Sequence, residues 1–266
     1  MATTRTFHGT ARALDLRLPV GHARVTVDPV ATDITVTLST ANDAGPSVDA
    51  IGDAIAHCDA GRFTVHVPDI AASVIGGGVH TVVTGGNHAG GGLFVSQSVG
   101  TVYGEMNGIV FNGGRVVSAG FGSAVTASPI DAEVTVPAGT VLSYSGTSAS
   151  LTVTGHLIAL QFKTVSGRLR LASVTGLHVN TTSGDVDADV VFGSIAARTV
   201  SGDVSVGSYQ GTAAAISSVS GDVRLNAGRD AHGALQVKTV SGDVRLRGVD
   251  RLEVSASTVS GDKTIN

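Results

Sequence analysis

The chain has 266 residues, with 21 acidic and 17 basic side chains, a net charge of −4, 36 glycines, three tyrosines and no tryptophan. Its 42% apolar content excludes a wholly disordered chain. The absence of any concentrated basic stretch argues against nucleic acid as a partner.

Residues 1–10 hold no apolar run of a signal peptide and no anchor motif closes the chain, so a cytoplasmic location is the expectation. Strands follow at Leu14-Asp15-Leu16-Arg17-Leu18, Ala23-Arg24-Val25-Thr26-Val27 and Ile34-Thr35-Val36-Thr37-Leu38, where apolar and polar residues alternate with period two. Pro19-Val20-Gly21 reads as the turn between the first two. A loop over residues 42–47 leads to a short helix expected within Val48 to Cys58, and Arg62-Phe63-Thr64-Val65-His66-Val67 resumes the strand pattern until Pro68 ends it. Residues 1–70 are expected to cap the first coil of a repeat array, because an open end exposes apolar side chains and unpaired backbone.

Cys58 is the sole cysteine, so no internal disulfide forms. Its neighbours His57 and Asp59 suggest a nucleophile with a base, but adjacent side chains do not converge as catalytic partners must. An incidental thiol is the plainer reading.

From Ile70 to Gly104 the chain carries no Asp, Glu, Lys or Arg and is punctuated by Gly76-Gly77-Gly78, Gly85-Gly86 and Gly90-Gly91-Gly92. That glycine density, with Asn and His interruptions, excludes a membrane-spanning helix. No GxGxxG or Gly-Lys-Ser/Thr phosphate loop is present. Either the segment forms irregular coils with glycine corners, or it is a self-association element. For the second reading, Val99–Gly104 and Gly108–Gly113 are uncharged, β-prone and free of proline, and bear a slight resemblance to glycine-rich amyloid-signalling motifs of bacteria. His80 and His88 could hold a metal, but without carboxylate or thiolate company no metal site is expected.

Alternation returns at Ala132-Glu133-Val134-Thr135-Val136, and Pro137-Ala138-Gly139 repeats the earlier turn. Gly146 then reads as a degenerate corner, 21 residues before Gly167. Beyond Gln161 one phrase recurs: Thr164-Val165-Ser166-Gly167-Arg168, Thr182-Ser183-Gly184-Asp185-Val186, Thr199-Val200-Ser201-Gly202-Asp203-Val204, Ser218-Val219-Ser220-Gly221-Asp222-Val223, Thr239-Val240-Ser241-Gly242-Asp243-Val244 and Thr258-Val259-Ser260-Gly261-Asp262. The glycines are 17, 18, 19, 21 and 19 residues apart, the signature of stacked coils whose loops vary and whose corner does not. Strand parity changes between Val237 and Val244, so a bend is expected there, with glycine tolerating a positive φ and aspartate bonding nearby N–H groups as in an Asx-turn.

Stacking places Asp185, Asp203, Asp222, Asp243 and Asp262 in one column, about 4.8 Å apart. Arg168 takes the first slot, and Arg224 and Arg245 fall where they can sit diagonally between carboxylates. A calcium ladder is one reading of the column. A turn-fixing, solvated aspartate column is the plainer one, because the glycine-rich nonapeptide of calcium-binding β-rolls is missing.

The paired Pro-x-Gly turns and the serial Thr-Val-Ser-Gly-Asp-Val phrases resemble the putative adhesin family of β-strand-repeat proteins, a domain of unknown function. The resemblance covers residues 11–70 and 121–266, and the glycine-rich stretch from about 71 to 120 departs from it as an insertion. It implies a parallel β-helix-like fold and no known catalytic activity, and the word adhesin implies a surface location. The expectation is an all-β parallel solenoid with an N-terminal sheet cap (1–70), a glycine-rich insertion (71–120) uncharged as far as Gly104, and a solenoid (121–266). Short loops, scarce aromatics and the lack of a GxSxG elbow disfavour a polysaccharide-acting enzyme. No catalytic, cofactor or metal residue is expected. The functional expectation is a non-catalytic interaction scaffold with a protein partner and no membrane span, or a self-assembling protein.

Overall fold

The computed structural model describes residues 3–70, 104–106, 109–112, 115–119 and 128–266. The chain forms two compact units, residues 1–70 with 127–266, and residues 71–126. Within the second unit, β7 (Gly104–Met106), β8 (Ile109–Asn112) and β9 (Arg115–Ala119), numbered by their place in the chain, form an antiparallel three-stranded sheet. Most of the expected insertion, including His80 and His88, lies outside the described residues.

Among its described residues the first unit is all-β apart from one short helix. It begins with β1 (Thr3–Gly9), β2 (Ala13–Arg17), β3 (Val20–Asp28), β4 (Ile34–Thr40), α1 (Pro46–Gly52), β5 (Ile55–Asp59) and β6 (Arg62–His66). After the second unit come β10 (Ile130–Pro137) and three long strands, β11 (Val141–Ser166), β12 (Leu169–Ser183) and β13 (Val186–Ser201). Shorter ones finish the chain: β14 (Val204–Tyr209), β15 (Ala213–Ser220), β16 (Val223–Ala227), β17 (Gly233–Lys238), β18 (Val244–Arg247), β19 (Leu252–Ser257) and β20 (Lys263–Ile265).

At about 3.3 Å per residue, the 26 residues of β11 would be far too long for one straight strand in so small a unit. The strand bends instead, with a register shift between Val153 and His156 where Gly155 adopts φ 99°. Its two halves therefore serve two strips. In one, β10, β3, residues 148–154 of β11, β12, β13, β14, β16, β18 and β20 stack in parallel. In the other, β6, β2 and the start of β11 lead to the later halves of β11, β12 and β13, then β15, β17 and β19.

The seventeen-stranded sheet is mixed, because the N-terminal strands pair the other way. On the first strip β4 lies antiparallel between β10 and β1, and on the second β5 runs antiparallel to β6. Ala50 and Ile51 of α1 are buried, and the Arg5 guanidinium on β1 donates to the carbonyls of Ile51 and Gly52. The helix expected up to Cys58 therefore stops six residues earlier. Ile55–Asp59 is a strand, joined to β6 by a two-residue hairpin at Ala60 and Gly61, both with positive φ (47° and 76°). No helix among the described residues is long and apolar enough to cross a membrane.

The core is one column per strand position. Ala132, Ala23, Leu151, Leu169, Val186, Val204, Val223 and Val244 are register neighbours in turn, all buried. Tyr144 stacks on Phe162 at 5.6 Å between ring centroids, and its hydroxyl donates to the Ser150 carbonyl. Burial pushes the Tyr144 phenol well above its ordinary range.

Candidate interaction surface

Each Thr-Val-Ser-Gly-Asp-Val phrase turns the chain from one strip to the other. Around Gly202 the order is Thr199 inside, Val200 and Ser201 outside, and Val204 inside again. The glycine is required twice over. Gly202 has φ 137°, and a Cβ there would overlap the carbonyl oxygen of Gly184 in the coil before. Gly221, Gly242 and Gly261 repeat that relation with the glycine one coil earlier, whereas Gly184 makes the same close approach to Gly167 without a positive φ.

Continued towards the N-terminus, the column passes through Ala149 and Gly21. The slot before Gly167 is therefore Ala149 and not Gly146, whose own close neighbour is the Leu18 carbonyl. Gly21, with φ 129°, is a corner residue that its Pro-x-Gly setting disguised as a simple turn.

The aspartates bond differently from the local turn expected of them. One oxygen of Asp185 accepts the backbone N–H of Asp203, and Asp203, Asp222 and Asp243 do the same for the next aspartate in the column. Ser150 plays that part for the N–H of Arg168 at 3.1 Å. The second oxygen faces arginine: Arg168 on Asp185 at 2.7 Å, Arg224 between Asp203 (3.5 Å) and Asp222 (2.7 Å), Arg245 between Asp222 (3.5 Å) and Asp243 (2.7 Å). The hydrogen bond from Arg168 holds the Asp185 carboxyl below its usual range, helped by the Asp203 N–H and opposed by partial burial.

Beside this ladder runs an apolar ridge. Val165, Val200, Val219 and Val240 are each about half exposed and Val259 is 82% exposed, with Thr182 in the one non-valine slot. Beneath the ridge is a column of inward hydroxyls. Thr164 donates to the Ser166 carbonyl at 3.0 Å, but the buried hydroxyls of Thr181, Thr199, Ser218 and Thr239 have no partner among the described residues. Neither column was singled out in the sequence, although both occupy fixed places in the repeated phrase.

The other candidates stay apart. Cys58 is exposed on β5 with its Sγ 3.6 Å from the Thr10 carbonyl, and His57 and Asp59 alternate to the opposite side of the strand.

The Toastrack DUF4097 family description matches residues 119–266, more than half of the chain. The chain belongs to this family. Among solved structures, this Toastrack chain is similar to a putative adhesin from Bacteroides fragilis NCTC 9343, with TM-score 0.57 and 16% identity over 100% of this chain and 96% of the other. That likeness concerns the fold alone. Two further putative adhesins are matched, from Parabacteroides merdae ATCC 43184 (TM-score 0.40, 11% identity, 99% and 95% covered) and Parabacteroides distasonis ATCC 8503 (0.39, 9%, 100% and 97%). No curated protein matches the chain.

Proposed function

We propose that this Toastrack chain is a non-catalytic, adhesin-like interaction scaffold. In this reading it is a parallel β-solenoid, covered at its N-terminal end by β1, β4 to β6 and α1, that docks a protein partner along the valine ridge. The ridge is the observation that supports the reading. Exposed valines at the same corner of five of the six coils form an apolar strip about 5 Å per step, and contiguous exposed apolar surface marks a contact site. The fold does not need these side chains, since the inward positions already fill the core. Nor is the corner poised for chemistry, because its carboxylates are engaged by N–H and guanidinium groups.

A photo-crosslinking residue at Val200 or Val219, in the cells that make the protein, is expected to trap one partner. The same residue at Arg198, two residues before Val200 and off the ridge line, is expected to trap none. With the crosslinking residue kept at Val219, replacing Val165, Val200 and Val240 together by serine should abolish the adduct while leaving the melting temperature within a few degrees. Equal labelling at Val200 and Arg198 would overturn the reading. A second copy of the chain as the only adduct would replace the partner by self-assembly.

A further inference from the structure

On the outward side of the strip from β10 to β20, Arg168, Arg224 and Arg245 each lie within 3.5 Å of an aspartate. Arg24 and Arg170 do not. Neither has an ion-pair partner among the described residues, although Glu133 and Asp187 are their register neighbours. Thr152 stands between the two arginines, paired in register with both. Two residues earlier on the same three rungs, and so on the same face, come His22, Ser150 and Arg168. Three rungs span about 10 Å.

The polar groups here are arranged as donors. Ser150 Oγ accepts the Arg168 N–H and so keeps its own proton to give outward. His22 Nε2 lies 2.9 Å from Thr152 Oγ1. The His22 imidazole is half-buried, and burial, then Arg24 and Arg170, depress its protonation, against the opposing pull of Asp131 from β10. Both unpaired guanidinium groups therefore bear on this imidazole. A groove of about 660 Å³ opens over His22, Ser150, Thr152, Arg168, Arg170 and the arginine-paired Asp185, bordered by Gly167 and Gly184, and Arg24 lies beside it as the register neighbour of Thr152.

We propose that this groove binds the dianionic head of a phosphate monoester, with Arg24 and Arg170 as counter-charges and Ser150 and Thr152 as hydroxyl donors. Two unpaired cations match a dianion, whereas a carboxylate would neutralise only one, and the guanidinium fork suits phosphate oxygens. Asp131 and Glu133 on one side and Asp185 and Asp187 on the other confine the positive zone to three rungs. A single headgroup fits that zone, and an extended polyanion would meet the flanking carboxylates. Bound phosphate favours the charged imidazole, which then donates through Nε2 and frees the Thr152 proton for the ligand.

The test is a histidine-detected NMR titration of the full chain with inorganic phosphate at constant ionic strength set by chloride, the His22 signal being assigned by its loss in His22→Gln. The His22 resonance should shift saturably and its titration midpoint should rise. Arg24→Gln and Arg170→Gln should each weaken the apparent affinity about tenfold, while Arg198→Gln on the other strip should not change it. Acetate should bind at least about tenfold more weakly than phosphate. Arg24 and Arg170 are both exposed, so these variants are expected to fold, which the unshifted His178 signal checks. A His22 signal that ignores phosphate, responds equally to chloride or acetate, or titrates unchanged in Arg170→Gln would overturn the assignment.

Discussion

The backbone N–H of Asp222 donates to Oδ1 of Asp203, 2.8 Å away and nineteen residues earlier. The carboxylate thus ties one coil to the next and does not close its own turn. The bond takes up one oxygen of each aspartate it uses, and arginine faces the other. Two like charges about 4.8 Å apart in water repel by roughly 1 kcal/mol, and the interleaved guanidinium groups of Arg224 and Arg245 offset that term.

Asp222 separates the two contributions. Asp222→Asn keeps an oxygen for the Asp243 N–H and loses only charge, so it is expected to cost under about 1 kcal/mol, and less in high salt. Asp222→Ala leaves that N–H without its partner and is expected to cost about 1–2 kcal/mol more. Urea unfolding midpoints for the two variants decide it. Equal losses would mean that the inter-coil hydrogen bond carries no weight.

Gly221→Ala tests the corner itself. At φ 143° and against the Gly202 carbonyl, a methyl group forces the coils apart, and a loss of about 3 kcal/mol or more is expected. Gly52→Ala is the matched control. Gly52 ends α1 with open space around its would-be Cβ, so alanine there is expected to be neutral or to gain up to about 1 kcal/mol. Similar losses at both sites would show that space and φ at the corner do not govern stability.

The corners were legible in the sequence because a close approach of backbone to backbone admits one residue type. Ser201 over Ser220 follows from that spacing. Where the approach is built otherwise, the signal fades: Ala149 fills a corner slot without glycine, and Gly21 follows Pro19 and Val20 with no serine or aspartate beside it. The N-terminal antiparallel strands were harder still. β1 carries threonines and His8 in place of buried aliphatics, and most of β5 is exposed, so neither shows in its residue types the apolar–polar alternation on which strand assignment rests. The groove had no local signal at all, since His22 and Thr152 are 130 residues apart and meet only through the register of β3 on β11.

Thr199→Val should be neutral or stabilising by up to about 1 kcal/mol, because its buried hydroxyl has no partner among the described residues and valine has nearly the same shape. Thr164→Val removes a hydroxyl that donates to the Ser166 carbonyl, so it should cost about 1 kcal/mol. The opposite order in thermal melts would show that the column of hydroxyls is satisfied after all.

Acid should act on the fold in two separate windows. His22 has a folded pKa depressed, first by burial and then by Arg24, below its ordinary 6.5. The unfolded chain therefore binds the proton more readily, and stability present above pH 6.5 is lost as the pH falls through that value towards the folded pKa. Asp185 is also depressed, first by its hydrogen bond from Arg168, below an ordinary 3.8. Its contribution is present above that value and disappears only on descent through the still lower folded pKa. His22→Gln should flatten the upper part of a plot of unfolding midpoint against pH and leave the acid limb intact, while Arg168→Gln should soften the acid limb and leave the upper part. A His22→Gln curve running parallel to that of the unaltered chain, from neutrality to about pH 5, would show that burial and the arginines do not depress the imidazole in the folded chain.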